Sequence, residues 1–539
     1  MLRLVCLLRM KSPPTSSPAT TTISPKLFYD ALRQRGFDTY FGVPDSLLKD
    51  FCAFVTTTTA ESPAFHTITA NVGNAIGMAT GYHLATRRPA VVYMQNSGFG
   101  NCVNPLLSLT HAEVYRVPML LLIGWRGDPQ GKADEPQHVA QGRLMQRCLD
   151  AVEVPYRVLE PSKELASNVS AVLADADRHF AANGTPFALL IKRDTFSSFK
   201  LPQPAAATAV SSPTTDGDDE SSSSDAGPRG TSFHRQLQRM RSDGTLQTRE
   251  RVIELVTEAL QHRGGRDVVV GTTGMPSREL FECRAKHQSG HERDFLTGGA
   301  MGHCTSIAAG IAMAMAPTTT AEGAILMDDD RQVIALDGDG AALMHLGAWP
   351  VLAAKHRGGA AMTARPSSTA SNGGEQVGAA HDGAMGHGVR PHPLYRLKHV
   401  VLNNAAHDSV GGQPTVADFC DLSHMARAAG YPVVLPTVLA ITGKKNAGAA
   451  AAPNDAAAGP STHAGDGGRG HDGHMVATEE ELRETLRHFF DPSLQGPAFL
   501  EIFVRKGNRS DLGRPTTTPQ QNKAAIMNFI QQPPSVPKL

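Results

Sequence analysis

The chain has no surplus charge of either sign: 51 Lys and Arg residues stand against 51 Asp and Glu residues. With no net field, nothing draws the molecule as a whole to nucleic acid or to an anionic membrane, so any preference for anions has to be local. It also has no run of the roughly 18 apolar residues that a membrane-spanning helix needs, which predicts a soluble protein. Its seven cysteines, Cys6, Cys52, Cys102, Cys148, Cys283, Cys304 and Cys420, include no Cys-x-x-Cys pair. That scatter argues against a disulfide framework and a structural zinc site, and for a reducing compartment.

Large apolar residues are scarce in several tracts, and removing these leaves roughly 400 residues able to bury a core, enough for two domains. Residues 1–24 contain Arg3, Arg9 and Lys11, many Ser and Thr, and no acid. They form a disordered extension or a targeting segment, so the expected location is cytoplasmic, with the mitochondrial matrix as the alternative. Ser24-Pro25 then reads as an N-cap and first helical position. Short apolar strands at 65–69, 90–94, 118–123 and 187–191 alternate with helical patterns through residues 25–202, which predicts parallel strands with crossover helices.

Residues 203–247, rich in Ala, Ser, Thr, Asp and Gly, read as a linker. A second alternating block, 248–507, has strands near 268–270, 333–336, 399–402 and 499–504. Gly/Ala-rich tracts at about 358–393 and 443–474 interrupt it, and a Pro/Gln-rich tail covers 508–539. The expected fold class is therefore α/β, with two related, doubly wound parallel-sheet domains and disordered inserts. His381, His387, His463, His471 and His474 fall in the inserts, where solvated loop histidines are the expectation.

The chemistry concentrates at strand ends. Leu336-Asp337-Gly338-Asp339-Gly340 ends one strand, and Leu402-Asn403-Asn404 ends another. A carboxylate and an amide at the carboxyl ends of two parallel strands can converge on the crevice where such sheets bind ligands. Oxygen ligands of this kind suit Mg²⁺ completed by phosphate oxygens, and Gly338 and Gly340 let a diphosphate approach the backbone.

Taken alone, Gly-Asp-Gly is more often a turn. The longer pattern, Gly338-Asp339-Gly340-Ala341-Ala342-Leu343-Met344-His345 with Asn403-Asn404-Ala405-Ala406-His407-Asp408-Ser409-Val410-Gly411-Gly412-Gln413-Pro414-Thr415, resembles the thiamine diphosphate motif of phosphonopyruvate decarboxylases. In the first block, Val43-Pro44-Asp45-Ser46, Ala70-Asn71-Val72-Gly73-Asn74, Gln95-Asn96-Ser97-Gly98 and Trp125-Arg126-Gly127-Asp128 resemble the pyrimidine-binding domain of phosphonopyruvate and sulfopyruvate decarboxylases.

The resemblance implies that thiamine diphosphate and Mg²⁺ are cofactors, the metal held by the Asp339 and Asn404 side chains and the Ala406 carbonyl. It implies that Val72, Gln95, Asn96, Gly302, Gly338, Asp339, Gly340, Ala341 and Asn404 border the cofactor, and that Asp45, His303 and His407 act on substrate. It further implies a homo-oligomer with active sites between the pyrimidine domain of one subunit and the diphosphate domain of another. Asp339 and Asn404 are 65 positions apart, more than in the family's pattern. The 358–393 insert accounts for the excess, and loop-closure cost grows by only about 0.6 kcal/mol per doubling of length.

One departure matters for the chemistry. Where the family carries a Glu against the cofactor's aminopyrimidine, this chain carries Val72, and Glu61 lies in the preceding loop. A general acid-base group is worth about 10²- to 10⁴-fold. The expected reaction is decarboxylation of 3-phosphonopyruvate to phosphonoacetaldehyde through the cofactor's ylid, with Arg126, Lys132 and Arg143 as candidate holders of the phosphonate. Sulfopyruvate decarboxylation is the nearest alternative, followed by a carboligase or a noncatalytic cofactor-binding subunit, both suggested by Val72.

Overall fold

The computed structural model describes residues 22–59, 66–200, 231–316, 330–357, 394–443, 474–494 and 496–532. Glu61, four of the five insert histidines and residues 1–21 of the N-terminal segment lie outside these residues; His474 and residues 22–24 lie inside them, with Ile23 bridging to Phe196 in the first half. Among the described residues, no helix is long and apolar enough to cross a membrane.

Six strands form the first sheet: β1 (Tyr40–Gly42), β2 (His66–Ile68), β3 (Ala90–Gln95), β4 (Met119–Gly124), β5 (Tyr156–Leu159) and β6 (Phe187–Ile191). The second is built on β7 (Val268–Gly271), β8 (Asp294–Leu296), β9 (Val333–Gly338) and β10 (Leu397–Asn403). Then come a small hairpin, β11 (Ala406–His407) with β12 (Gln413–Pro414), and the remaining strands β13 (Val433–Val434), β14 (Val438–Ala440), β15 (Met475–Ala477) and β16 (Ala498–Phe503).

The first sheet runs β2-β1-β3-β4-β6-β5, and the second β15-β14-β16-β10-β9-β7-β8. Strand pairing is parallel throughout both. With the two short strands β13 and β15 set aside, both sheets are wound in one order: second, first, third, fourth, sixth, fifth. Each therefore has a switch point between its first and third strands, where the carboxyl ends open a crevice.

Burial on both faces explains the near-continuous apolar strands. In β3 and β4 the side chains alternate between two cores, with Val91, Tyr93, Leu120 and Leu122 on the outer face and Val92, Met94, Leu121 and Ile123 on the inner. The inner core also takes Val268, Val270, Val333 and Ala335 from the second sheet, so it is one apolar body shared by both halves.

Two small-residue helices, Val72–Thr86 and Cys304–Ala314, cross inside that body. The crossing depends on two glycines: a Cβ on Gly81 would lie 2.0 Å from the Ile307 carbonyl oxygen, and one on Gly310 2.1 Å from that of Met78. Backbone cannot yield as a flexible side chain can, so the contact excludes any larger residue.

The structure corrects two boundaries read from composition. Residues 231–242, assigned to the linker, are helical, and Leu237 and Leu246 enter a small core with Leu439, Ile441 and Phe503. Too few apolar residues punctuate this segment to show periodicity, yet Leu237 is buried and Met240 packs against the same core. Within the presumed tail, Pro519–Gln531 is a helix with a capping box between Thr518 and Gln521. Its Asn522 caps the edge of the second sheet, accepting from Leu296 N (3.1 Å) and donating to the Asp294 carbonyl (2.7 Å). The same helix reaches the first half through Arg87 and Gln531, so it straps both halves together.

Candidate active site

In the second half, Gly338 ends β9 and Asp339 begins a short helix, which leaves the carboxylate buried, at 1% exposure. Asp339 accepts a hydrogen bond from the Thr415 hydroxyl and has no ion-pair partner among the described residues. Burial pushes its carboxyl up to about 6, opposed by the Thr415 contact. A buried, unpaired carboxylate is costly unless a cation completes it.

After β10 the chain turns sharply at Ala405, whose φ is +52°. Asn403 Oδ1 accepts from Ala405 N (3.1 Å), and Thr415 N donates to the Ala405 carbonyl (3.1 Å). This presents Asn404, buried, and Ala406 on the same side as Asp339. Asn404 Nδ2 donates to Asp408 Oδ2 at 2.6 Å, which fixes the amide. Gly340 is required beneath His407, since a Cβ there would lie 2.5 Å from the imidazole Cε1.

A third wall comes from the loop after β8. Gly302, at φ +86°, admits His345, whose Cδ2 would lie 2.3 Å from a Cβ at that position, and the Ala341 carbonyl stands beside it at 3.3 Å. His303 is 2% exposed, and its pKa is lowered to about 4, first by burial and then by neighbouring His345. Its Nδ1 lies 3.1 Å from the Ala300 carbonyl, so the hydrogen-bond network assigns the proton there. Nε2 is thereby a bare acceptor, and among the described residues it has no partner. Thr272 Oγ1, on the loop after β7, is likewise buried and without a partner among the described residues.

The first half meets this wall within the same chain. Asn71 caps the Val72–Thr86 helix by accepting from Asn74 N, and its Nδ2 donates to His345 Nδ1 at 3.2 Å. Asn74 Nδ2 donates to Ser306 Oγ at 3.2 Å. A Cβ on Gly73 would fall 3.0 Å from His303 Nε2. Val72 is buried in the shared apolar core, against Gly98. The resemblance leads to sites between subunits; here the two half-sites face each other in one chain.

Asp45, Gln95 and Asn96 form a separate cluster at the ends of β1, β3 and β4. Asp45 Oδ2 accepts from Leu47 N (2.8 Å) and Leu48 N (3.2 Å), and Oδ1 from Gln95 Nε2 (2.8 Å). Gly124 is obligatory here, because a Cβ would lie 1.9 Å from that carboxylate. Asn96 exchanges two bonds with the Arg126 backbone.

The Arg126 guanidinium grips Asp134 with two nitrogens, holding that carboxyl well below the usual range, and donates to Ser46 Oγ at 3.0 Å. Lys132 and Arg143 are exposed and lie outside the Arg126 crevice. Arg193, which sequence reasoning passed over, shares that crevice of about 290 Å³ with Ser46, Lys49 and Arg126. Also missed were Asn71, Thr272, Asp408 and Thr415. Asn71, Asp408 and Thr415 lie inside quoted motifs, so the signal for them was proximity to the motif rather than residue type.

Residues 25–152 match the family described as thiamine pyrophosphate enzyme, N-terminal TPP binding domain. Phosphonopyruvate decarboxylase of Streptomyces viridochromogenes is 25% identical over 502 residues, 93% of each chain. Sulfopyruvate decarboxylase subunit alpha of Methanococcus maripaludis is 30% identical over 161 residues, covering 28% of this chain and 92% of that subunit. Among solved structures, benzoylformate decarboxylase from Polynucleobacter necessarius matches with a TM-score of 0.50 at 11% identity, over 91% of this chain and 100% of that one. That likeness speaks to the fold alone.

Proposed function

The chain belongs to the thiamine pyrophosphate-dependent enzymes and is a 2-oxo acid decarboxylase of that family; on that premise we propose that it converts 3-phosphonopyruvate to phosphonoacetaldehyde and CO₂. The observation that carries the choice of substrate is the likeness to a phosphonopyruvate decarboxylase along 93% of both chains, so that one relative spans both halves.

The residues present fit the cofactor. Gly338 leaves backbone open for a diphosphate, with only Thr272 Cγ2, 3.9 Å away, near where a Cβ would stand, while Gly340 makes room for His407, and the buried Asp339 carboxylate suits a cation. His303 Nε2 and Thr272 Oγ1 keep hydrogen-bonding capacity unspent. Asp339 and Asn404, with the Ala406 carbonyl, would hold Mg²⁺ through oxygen, as that ion prefers. When bound, thiamine diphosphate supplies the electron sink for the pair released with CO₂.

The chain's own residues bind, orient and exclude water. Val72 offers no titratable atom, so it contributes a dry wall and no proton transfer. His303, neutral and with Nε2 bare toward the Val72–Thr86 helix, is the residue we assign to proton transfer in its place. Burial lowers the His345 pKa, and Asn71 Nδ2 donates to its Nδ1, which leaves Nε2 as the nitrogen that carries the hydrogen. In the crevice near Asp45 we assign the phosphonate to Arg193 and Lys49, with Arg126, bound to Asp134, reduced to a supporting role through Ser46, since Arg suits a tetrahedral oxyanion through paired donors. Assembly into a homo-oligomer is part of the same reading.

A second reading, sulfopyruvate as substrate, is favoured by the 30% identity of the first half to a sulfopyruvate decarboxylase subunit. Measuring CO₂ and aldehyde release from phosphonopyruvate, sulfopyruvate and pyruvate, with thiamine diphosphate and Mg²⁺ present and then omitted, separates them. Turnover fastest on phosphonopyruvate is expected; a preference for sulfopyruvate would overturn the choice.

A further inference from the structure

A second crevice, of about 490 Å³, opens beyond the carboxyl ends of β10 and β16, outside the cofactor cradle. Four of its lining side chains are cationic, Arg241, Arg505, Lys506 and Arg509, against two acids, Glu250 and Glu279. Both acids are already matched: Glu250 with Arg509 at 2.9 Å, which Glu282 and Asp511 also hold, and Glu279 with Arg249 at 2.7 Å, so the charge left over comes from Arg505 and Lys506. Arg505 and Lys506 have no acidic partner among the described residues. Arg241, with its side chain 3% exposed, is held by Asp418 and the Asn403 carbonyl, and its Nε has no partner. A buried guanidinium and two unmatched cations at the carboxyl edge of a parallel sheet make a place for an anion.

We propose that this crevice binds a small phosphate-bearing anion, and that its occupancy is linked to the cofactor cradle through Asp408. The link is one oxygen. Asp408 Oδ2 accepts from Asn404 Nδ2 (2.6 Å), from the Arg249 guanidinium (2.7 Å) and from Gly507 N (3.1 Å). Gly507, at φ +89°, lies between Lys506 and Asn508 on the crevice wall, and nothing stands where its Cβ would be. An anion drawn to Lys506 competes with Asp408 for this N–H. Losing it leaves the carboxylate more firmly on Asn404, the residue assigned to the metal. The coupling is reciprocal by linkage, and one exchanged hydrogen bond places it at the low end of the usual 5- to 150-fold range.

The linkage rests on the cofactor assignment; the crevice itself does not need it. The test uses the full chain with saturating thiamine diphosphate and constant free Mg²⁺, titrated by calorimetry with inorganic phosphate and, separately, with ADP. Binding of one equivalent is expected, weakened at least about tenfold in the Arg505→Gln/Lys506→Gln double variant, whose fold is checked by its melting temperature. Phosphate binding alone would mark a free-anion site, and tighter binding of ADP a site for a phosphate ester. No binding of either, or binding unchanged in the double variant, overturns the proposal. For the linkage, thiamine diphosphate affinity is measured with and without the tighter anion. A shift of about fivefold that the double variant abolishes is expected, and an affinity indifferent to the anion overturns the linkage.

Discussion

The two halves are wound in one strand order, yet the carboxyl ends of their sheets are equipped in opposite ways. In the first, the polar groups satisfy one another: Asp45 takes three donors, Asn96 closes on the Arg126 backbone, and Arg126 is bound to Asp134. In the second, they are left open: among the described residues Asp339 has no ion-pair partner, and His303 Nε2 and Thr272 Oγ1 have no hydrogen-bond partner. Unsatisfied buried groups each cost about 1–3 kcal/mol, so a fold keeps them where a ligand will complete them. The difference teaches that one sheet supplies a rigid wall and the other the charged cradle.

The hardest blow to that contrast falls on the cradle. Asp339→Asn is expected to lower Mg²⁺ affinity by at least about 100-fold, read by calorimetry, because it removes a ligand rather than a supporting contact. His303→Gln should reduce turnover by about 10²- to 10⁴-fold with little change in melting temperature. If Val72→Glu restored turnover to a protein otherwise silent, the assignment of His303 would fall.

Whether the wall and cradle of one site share a chain is tested by mixing. Asp45→Ala and Asp339→Ala chains, each inactive, are combined under conditions that exchange subunits. Continued silence is expected for a site closed within one chain, whereas recovered turnover would place the halves on different subunits. Stability of the joint itself is probed with Gly310→Val, expected to cost about 3 kcal/mol in denaturant unfolding, since the added atoms meet backbone.

The smallest effect is in pH. Asp339 has a folded pKa of about 6, above its ordinary value, so without metal its burial favours the folded state below the ordinary carboxylate range and that advantage is lost as pH rises toward 6. His303, lowered to about 4, works in the opposite sense, and its contribution is lost as pH falls from the usual histidine range toward 4. The two slopes oppose each other between about 4 and 6. Mg²⁺ affinity should still climb about tenfold per pH unit up to 6 and then level off, because protons compete for Asp339 alone. A flat profile would mean that Asp339 is not a ligand.

Much of this was legible in residues taken in order. The alternation of apolar runs with helical patterns predicted two parallel-sheet halves, and Ser24-Pro25 marked the first helix where it begins. The Asp339 and Asn404 motifs were readable because strand-end chemistry is local: a carboxylate, an amide and two glycines within a few positions. The Thr231–Ser242 and Pro519–Gln531 helices escaped notice because their burial depends on partners far along the chain. Arg126 illustrates the limit from the other side, since the sequence offered it as a free cation and the fold gives it Asp134.

By itself the sequence determined the class of fold and the strand-end motifs that carry the resemblance, because each is written in adjacent residues or in short-range periodicity; the contrast of Val72 with the family's Glu came from the resemblance. Only the tertiary structure decided that Val72 and Gly73 face His303, that Gly81 and Gly310 let two helices touch, and that Asp408 stands between two crevices. Those relations join residues distant in the chain, and packing, which is not local, sets them.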